Sequence, residues 1–421
     1  AKARRRTAID RGWTRAGPAS RVADPAPSSP EIGSTGPGIR RSNLPCYSMP
    51  RAGYGLQSRA RSRPVERRIL LASLPLASSI SAALDGEMLA TLAEAERAAP
   101  PPRAGALSVY DIMRYHLGFV DASFQPARSD PGKRIRPLLC MLTNEAAGGD
   151  PADAMPMAAG IELLHNFTLI HDDIQDHSPL RRHRPTAWSI WGVAQAINAG
   201  DAMFAVAHLA LLRSARAGMP AGCVLALTES LHRTTLRIVE GQVLDLGFES
   251  RSDVTADEYM VMIGGKSAEI CRCACWAGAT IAGASDDRAQ MAGDAGFALG
   301  IGFQLRDDIL GIWGDTAQTG KVRADDIRRR KKSLPILLLR DRATPVELAE
   351  LDALYAQSEV APDGVERILT LLREYDVESA VQTRAQIWHD QALELLQSSL
   401  PESDARVKLE ALVDALVARA G

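Results

Sequence analysis

From about residue 86 to the C-terminus, apolar residues recur at helical spacing. Ala- and Leu-rich stretches with that period cover 86–98, 108–120, 134–147, 153–176, 188–214, 220–247, 256–283, 287–311, 333–341, 346–357, 364–374, 377–399 and 403–420. Pro and Gly clusters such as "AAPPPRAG", "GGDPADAMP" and "AGMPAG" fall between them. The Val/Ile/Thr alternation of strands is nearly absent, and no repeat of fixed period appears. The pattern predicts an all-α protein, with a single large helical domain over 86–421.

Upstream of residue 86 the pattern is lost. Residues 1–68 carry fifteen Lys/Arg against four Asp/Glu, in Pro-, Gly- and Ser-rich sequence such as "GPASRVADPAPSSPEIGSTGPG". Such a segment cannot bury enough apolar surface to offset its chain entropy. Residues 1–85 are therefore expected to be a disordered basic N-terminal extension, with Met49 as a second candidate start. The Arg-rich, acid-poor balance is that of a transit peptide, but no amphipathic helix accompanies it. "ILLASLPLASSISAAL" (69–84) is interrupted by serines and a proline and reads as a helix or linker at the domain entrance, not a membrane span.

Composition changes this picture little. With 46% hydrophobic and 24% charged residues the chain has the make-up of a soluble globular protein, and a net charge of −2 gives no reason to expect nucleic-acid binding. A cytoplasmic location is expected. "CRCAC" places Cys271, Cys273 and Cys275 at steps of two within a helical stretch, which fans the thiols apart. There is no second Cys/His pair at zinc spacing, so these read as small core residues.

The candidate chemistry lies in charges set on apolar helices. "LIHDDIQDHSPLRR" (169–182) puts Asp172 and Asp176 on one helical face with Asp173 turned away, followed by Arg181 and Arg182. Carboxylates at that spacing repel unless they share cations, and oxygen-only donors point to Mg2+ bridging to a phosphate. A second pair, Asp307 and Asp308, follows Gln304 in "GFQLRDDILGIWGD", about 135 residues on. Two such pairs suggest facing clusters around a cation-filled cavity. The basic side is equally organised. "PGKRIRP" offers Lys133, Arg134 and Arg136 at a helix start, where free N–H groups favour anions. "GGKSAE" sets Lys266 and Ser267 in mid-helix beside a destabilising glycine pair, and "TGKVRADDIRRRKKSLP" contributes Lys321 and a run from Arg328 to Lys332. Neither lysine segment has the glycine spacing or preceding strand of a nucleotide P-loop.

In order and spacing, "GKRIRP", "LLHNFTLIHDDIQDHSPLRR", "INAGD", "EGQVLDL", "GGKSA", "FQLRDD" and "GK…DIRRRKKSLP" resemble the trans-isoprenyl diphosphate synthases, the polyprenyl synthetase family. The resemblance runs from about residue 105 to the C-terminus. It implies a helical fold around a deep cavity, a homodimer, and condensation of isopentenyl diphosphate with an allylic diphosphate. It further implies that Asp172, Asp176 and Asp307 coordinate a cluster of two or three Mg2+ ions on the allylic diphosphate. Asp245 and Asp308 would support that cluster, Asp245 also as a ligand, and Asp173 counts with the catalytic aspartates of the first motif. Arg181, Lys266 and Lys321 would hold the same diphosphate. Lys133, Arg136, His165 and Arg182, with Gly132 in their loop, would hold isopentenyl diphosphate. Lys331 matches the lysine near the diphosphate lid, and Gln304, Lys266 and Ser267 would face the developing carbocation. One position departs from the pattern: Gly311 stands where many members have a third aspartate.

Product length is the finer question. Phe167, five residues before Asp172, lies about 7–8 Å below it along a helix, whereas Thr168 is small. In the family such a floor goes with a geranylgeranyl (C20) product. Farnesyl diphosphate (C15) is the alternative. A terpene cyclase would not need the "GKRIRP" site, and a non-catalytic partner subunit would be expected to have lost one Asp cluster.

Overall fold

The computed structural model describes residues 75–100, 105–130, 132–314 and 323–417. The helices are α1 Pro75–Arg97, α2 Val109–His116, α3 Ile135–Ala146, α4 Pro151–Gln175, α5 Ala187–Trp191, α6 Val193–Arg216, α7 Ala221–Glu249, α8 Ala256–Ile263, α9 Glu269–Ile281, α10 Asp286–Trp313, α11 Asp325–Arg328, α12 Leu334–Arg342, α13 Pro345–Tyr355, α14 Pro362–Glu374, α15 Val377–Ser399 and α16 Asp404–Val417. A π-helical turn, Gly264–Ala268, separates α8 from α9, and the strands among the described residues are β1 Leu180–Arg181 and β2 Arg184–Pro185. The all-α expectation holds.

Helix α4 carries the first acidic motif and is buried over most of its length. Asp150 caps its start by accepting from the Ala152 N–H at 2.9 Å, with Pro151 in the first turn, where its missing N–H does no harm. Met157, Ile161, Leu163 and Leu164 are fully buried, and truncating any of them to Ala should destabilise by about 2–5 kcal/mol. α4 packs on α3 and α6, and α10 packs between α9 and α15. Small residues set those distances. A Cβ on Gly160 would stand 2.9 Å from the Ala207 carbonyl of α6, so the α4–α6 approach needs glycine there. Cys140, Cys271, Cys273 and Cys275 are buried and unoxidised, and burial raises all four thiols.

Three differences from the sequence reading have physical causes. The first helix starts at Pro75, not at 86, and Leu84, Met88 and Leu92 form a buried stripe along it. The stretch 188–214 is broken at Gly192, whose φ of 83° no helix accommodates. The stretch 256–283 contains the π turn. Residues 1–74 of the expected extension, and Lys321, lie outside the described residues.

Candidate active site

The acidic wall is assembled from the end of α4 and from α7. Asp172 lies in the last turn of α4, and Asp176 caps it, its N–H donating to the Asp172 carbonyl at 2.8 Å. On α7, Asp245 accepts from Lys266 Nζ at 2.5 Å, and Gln242 donates to Gln175 at 2.8 Å, tying α7 to the end of α4. Lys266 reaches Asp245 because the π turn gives the backbone an extra residue there. The glycine pair is what lets that turn cross α7. A Cβ on Gly265 would lie 2.6 Å from the Arg237 carbonyl, and one on Gly241 would overlap the Lys266 backbone.

Burial pushes the Asp172 carboxyl above its ordinary range; Lys266 and Arg181 pull it back, while Asp176 and Asp245 add to the rise. The like charges are thus close enough to feel one another. Among the described residues no three His, Cys, Asp or Glu side chains stand at coordinating spacing. The donor set nevertheless fits Mg2+, which binds through one or two carboxylates, keeps several waters and takes further oxygens from a phosphate.

Asp173 points away from this wall, as helix geometry requires. It is 2% exposed; Arg181 Nε donates to its Oδ1 at 2.8 Å, its Oδ2 has no hydrogen-bond partner, and burial pushes its carboxyl up to about 6. Arg181 itself sits in the β1–β2 hairpin, whose two turn residues, Arg182 (φ 51°) and His183 (φ 61°), both lie in the left-handed region. Asn-Gly is the usual occupant of such a turn, and non-glycine residues held there mark a position kept for its side chain. Arg184 anchors the hairpin through the Tyr115 and Val120 carbonyls at 3.1 and 3.0 Å.

The basic wall forms where the hairpin meets the loop before α3. Arg182 lies on Gly132 so closely that a Cβ there would be 2.7 Å from its Cζ. Gly132 takes φ 77°, and its N–H donates to Asp130 at 2.8 Å. Arg136 Nη1 lies 3.2 Å from His165 Nε2, and burial among arginines holds that imidazole well below its usual range, leaving it neutral and able to accept. Gly132, Arg136, His165 and Arg182 are therefore brought together, while Lys133 is exposed on the same loop. Two groups behind this wall, one buried and one half-buried, escaped the sequence reading. Glu162, 3% exposed, faces the charges of Arg134, Arg136 and Arg182; its signal was a lone acid in the apolar run "GIELLH". His116 is held neutral by burial and by Arg181, Arg182 and Arg184, its pKa lowered to about 3.

The second Asp pair divides. Asp307 is exposed. Asp308 is fully buried and accepts from the Tyr259 hydroxyl, Gln304 Nε2 (3.3 Å), Lys331 Nζ (3.4 Å) and the Leu334 N–H (3.4 Å). Lys331 also reaches Asp326 at 3.4 Å, and the two carboxylates hold its ammonium above the usual lysine range against the effect of burial. Ser267 donates to Gln304 at 2.9 Å, which links the π turn to this network. A Cβ on Gly311 would collide with the Asp326 carboxylate, so Asp326 occupies the space in which a third aspartate would begin. Tyr259 and Asp326 were also missed, the latter because it sits at the head of a basic run.

Below Asp172, the Phe167 ring lies 4.9 Å from His171 and 5.3 Å from Phe204 of α6. Thr168 turns its hydroxyl back to the His165 carbonyl at 2.7 Å.

Residues 119–372 match the family model described as Polyprenyl synthetase. The chain is 43% identical over 225 residues to the (2E,6E)-farnesyl diphosphate synthase of Mycobacterium tuberculosis, covering 53% of this chain but only 61% of that protein's length. It is 39% identical over 261 residues to the geranylgeranyl diphosphate synthase of the same organism, covering 62% and 73% of the two chains. Among solved structures, the geranylgeranyl pyrophosphate synthetase from Pyrococcus horikoshii Ot3 superposes with a TM-score of 0.72 at 29% identity, over 84% of this chain and 99% of the other.

Proposed function

We infer that this chain, which belongs to the polyprenyl synthetase family, is a trans-prenyltransferase that condenses isopentenyl diphosphate with an allylic diphosphate. One observation carries the reading. Helix α4 presents His165, against the basic wall, and Asp172, at the acidic wall, seven residues apart, which is about 10 Å and spaces two diphosphates side by side.

Asp172, Asp176, Asp245 and Asp307 would hold Mg2+. The bound metal would supply Lewis-acid withdrawal of charge from the allylic diphosphate. Lys266, Arg181 and Lys321 would stabilise the same departing group, with Asp173 fixing the Arg181 guanidinium. Lys133, Arg136, Arg182 and neutral His165 would hold isopentenyl diphosphate with its double bond toward the allylic carbon. Ser267 and Gln304, hydrogen-bonded to one another at 2.9 Å, would face the allylic carbocation. Attack by the double bond forms the new C–C bond, and the proton lost from the adjacent carbon passes to the released pyrophosphate.

Phe167, braced by Phe204, supports a floor about 7–8 Å below Asp172 and a geranylgeranyl product. The same brace favours farnesyl diphosphate as the second reading, since it stops the ring from yielding. The partner is a second copy of the chain: α6 and α7 expose Ile197, Leu209, Leu212, Leu236, Val239 and Val243, apolar surface of the kind that dimers bury. Among the described residues no helix is long and apolar enough to cross a membrane. Product analysis of the full chain with isopentenyl diphosphate, Mg2+ and each allylic primer in turn tests the reading. Elongation is expected, and its absence with every primer would refute the proposal.

A further inference from the structure

Arg134 is the cation of "GKRIRP" left without a role above, and its guanidinium is committed elsewhere. Its Nη2 forms an ion pair with Asp85, and its Nη1 donates to the Ser81 carbonyl at 3.2 Å; both partners lie on α1. Arg134 is 8% exposed and adopts φ 46°, ψ 40°, a left-handed conformation that a non-glycine residue keeps only when its surroundings enforce it. Gly132, two residues earlier, is also left-handed, and Arg136, two residues later, meets His165. The loop that presents the basic wall therefore turns on a strained residue.

Close packing does not enforce that strain from behind. A cavity of about 500 Å3 lies there, lined by Ser81, Asp85, Leu89, Leu117, Phe119 and Arg134. On the substrate side Gly132 is held by Asp130 and overlaid by Arg182. On the far side the hold is the contact with α1. Glu162 adds a favourable field at Arg134 but also serves Arg136 and Arg182, so it cannot by itself select the Arg134 conformation.

We propose that Asp85 is a positioning residue: its ion pair with Arg134 fixes residues 132–136 in the conformation that offers Gly132, Lys133 and Arg136 to isopentenyl diphosphate. The inference rests on the function proposed above and makes α1, which begins in sequence that reads as a helix or linker, part of the second substrate's site. Without the carboxylate, a buried guanidinium loses its partner and the left-handed turn loses its restraint.

The test is Asp85→Asn in the full chain. A rise of about 10-fold in KM for isopentenyl diphosphate is expected, with KM for the allylic primer unchanged and Asp85→Glu restoring most of the loss. A purely structural role would shift both KM values together, or neither, whatever the change in Tm, and either result would overturn the inference. Calorimetric titration of isopentenyl diphosphate into both proteins reads the same loop without turnover. Tight wild-type binding that weakens in Asp85→Asn, with no incorporation by either protein, would refute the function and leave the positioning role standing. Equal affinity in the two proteins would refute the positioning role.

Discussion

The two adjacent-aspartate pairs look equivalent in sequence and do different work in the fold. At the end of α4, Asp172 stays within the field of Asp176 and Asp245, while its neighbour Asp173 spends one oxygen on Arg181 and leaves the other unsatisfied. On α10, Asp307 faces outward, while Asp308 is enclosed by Tyr259, Gln304, Lys331 and the Leu334 N–H. In each pair one carboxylate is the more exposed and its neighbour is turned inward. The inward member of the first pair aims an arginine at the site. That of the second is a strut joining α8, α10 and the start of α12.

That contrast can be broken experimentally. Asp172→Asn should lower kcat/KM by at least about 100-fold, as removal of a charge that acts on the reacting diphosphate does, and leave Tm unchanged or slightly raised because it relieves carboxylate crowding. Steady-state kinetics beside a thermal melt checks both halves. Asp308→Asn should do the reverse in weight. Lys331 keeps Asp326 as a counter-charge, so a loss of about 1–3 kcal/mol of stability is expected, seen as a lower urea midpoint, with a smaller effect on turnover once folded. Gly311→Asp, which restores the family's third aspartate, should not raise activity. Its side chain must displace the Asp326 carboxylate, and a loss of about 1–3 kcal/mol in the same unfolding measurement is expected. The smallest effect on rate is expected from Phe167→Ala, which should lengthen the product by at least one isoprene unit, read by chromatography of the dephosphorylated prenols.

Much of this was legible in the sequence because helices advertise themselves through periodicity. The predicted stretches 153–176, 220–247, 364–374 and 377–399 lie within a few residues of α4, α7, α14 and α15. Charges on apolar helices were equally visible, and Asp172, Asp176, Lys266, Gly132, Arg136, His165 and Arg182 do gather at two adjoining walls. What could not be read is which member of an adjacent pair faces inward. Asp307 and Asp308 differ by one helical step, and the choice between them is made by Tyr259 and Lys331, both distant in sequence. The start of α1 was hidden because its serines break up the apolar pattern that leads to the buried Leu84, Met88 and Leu92. The π turn was visible only as a glycine pair whose cost had no evident return until Gly241 and Gly265 were seen to cross. Asp326 was masked by the basic run that follows it.

The most direct test of the division of labour is the thermal shift produced by Mg2+ together with inorganic pyrophosphate in wild type, Asp172→Asn and Asp308→Asn, since a ligand that binds only the folded state raises Tm. The account predicts a clear rise in wild type, little or none in Asp172→Asn, and a rise from a lower starting Tm in Asp308→Asn. A shift that survives in Asp172→Asn and vanishes in Asp308→Asn would contradict it.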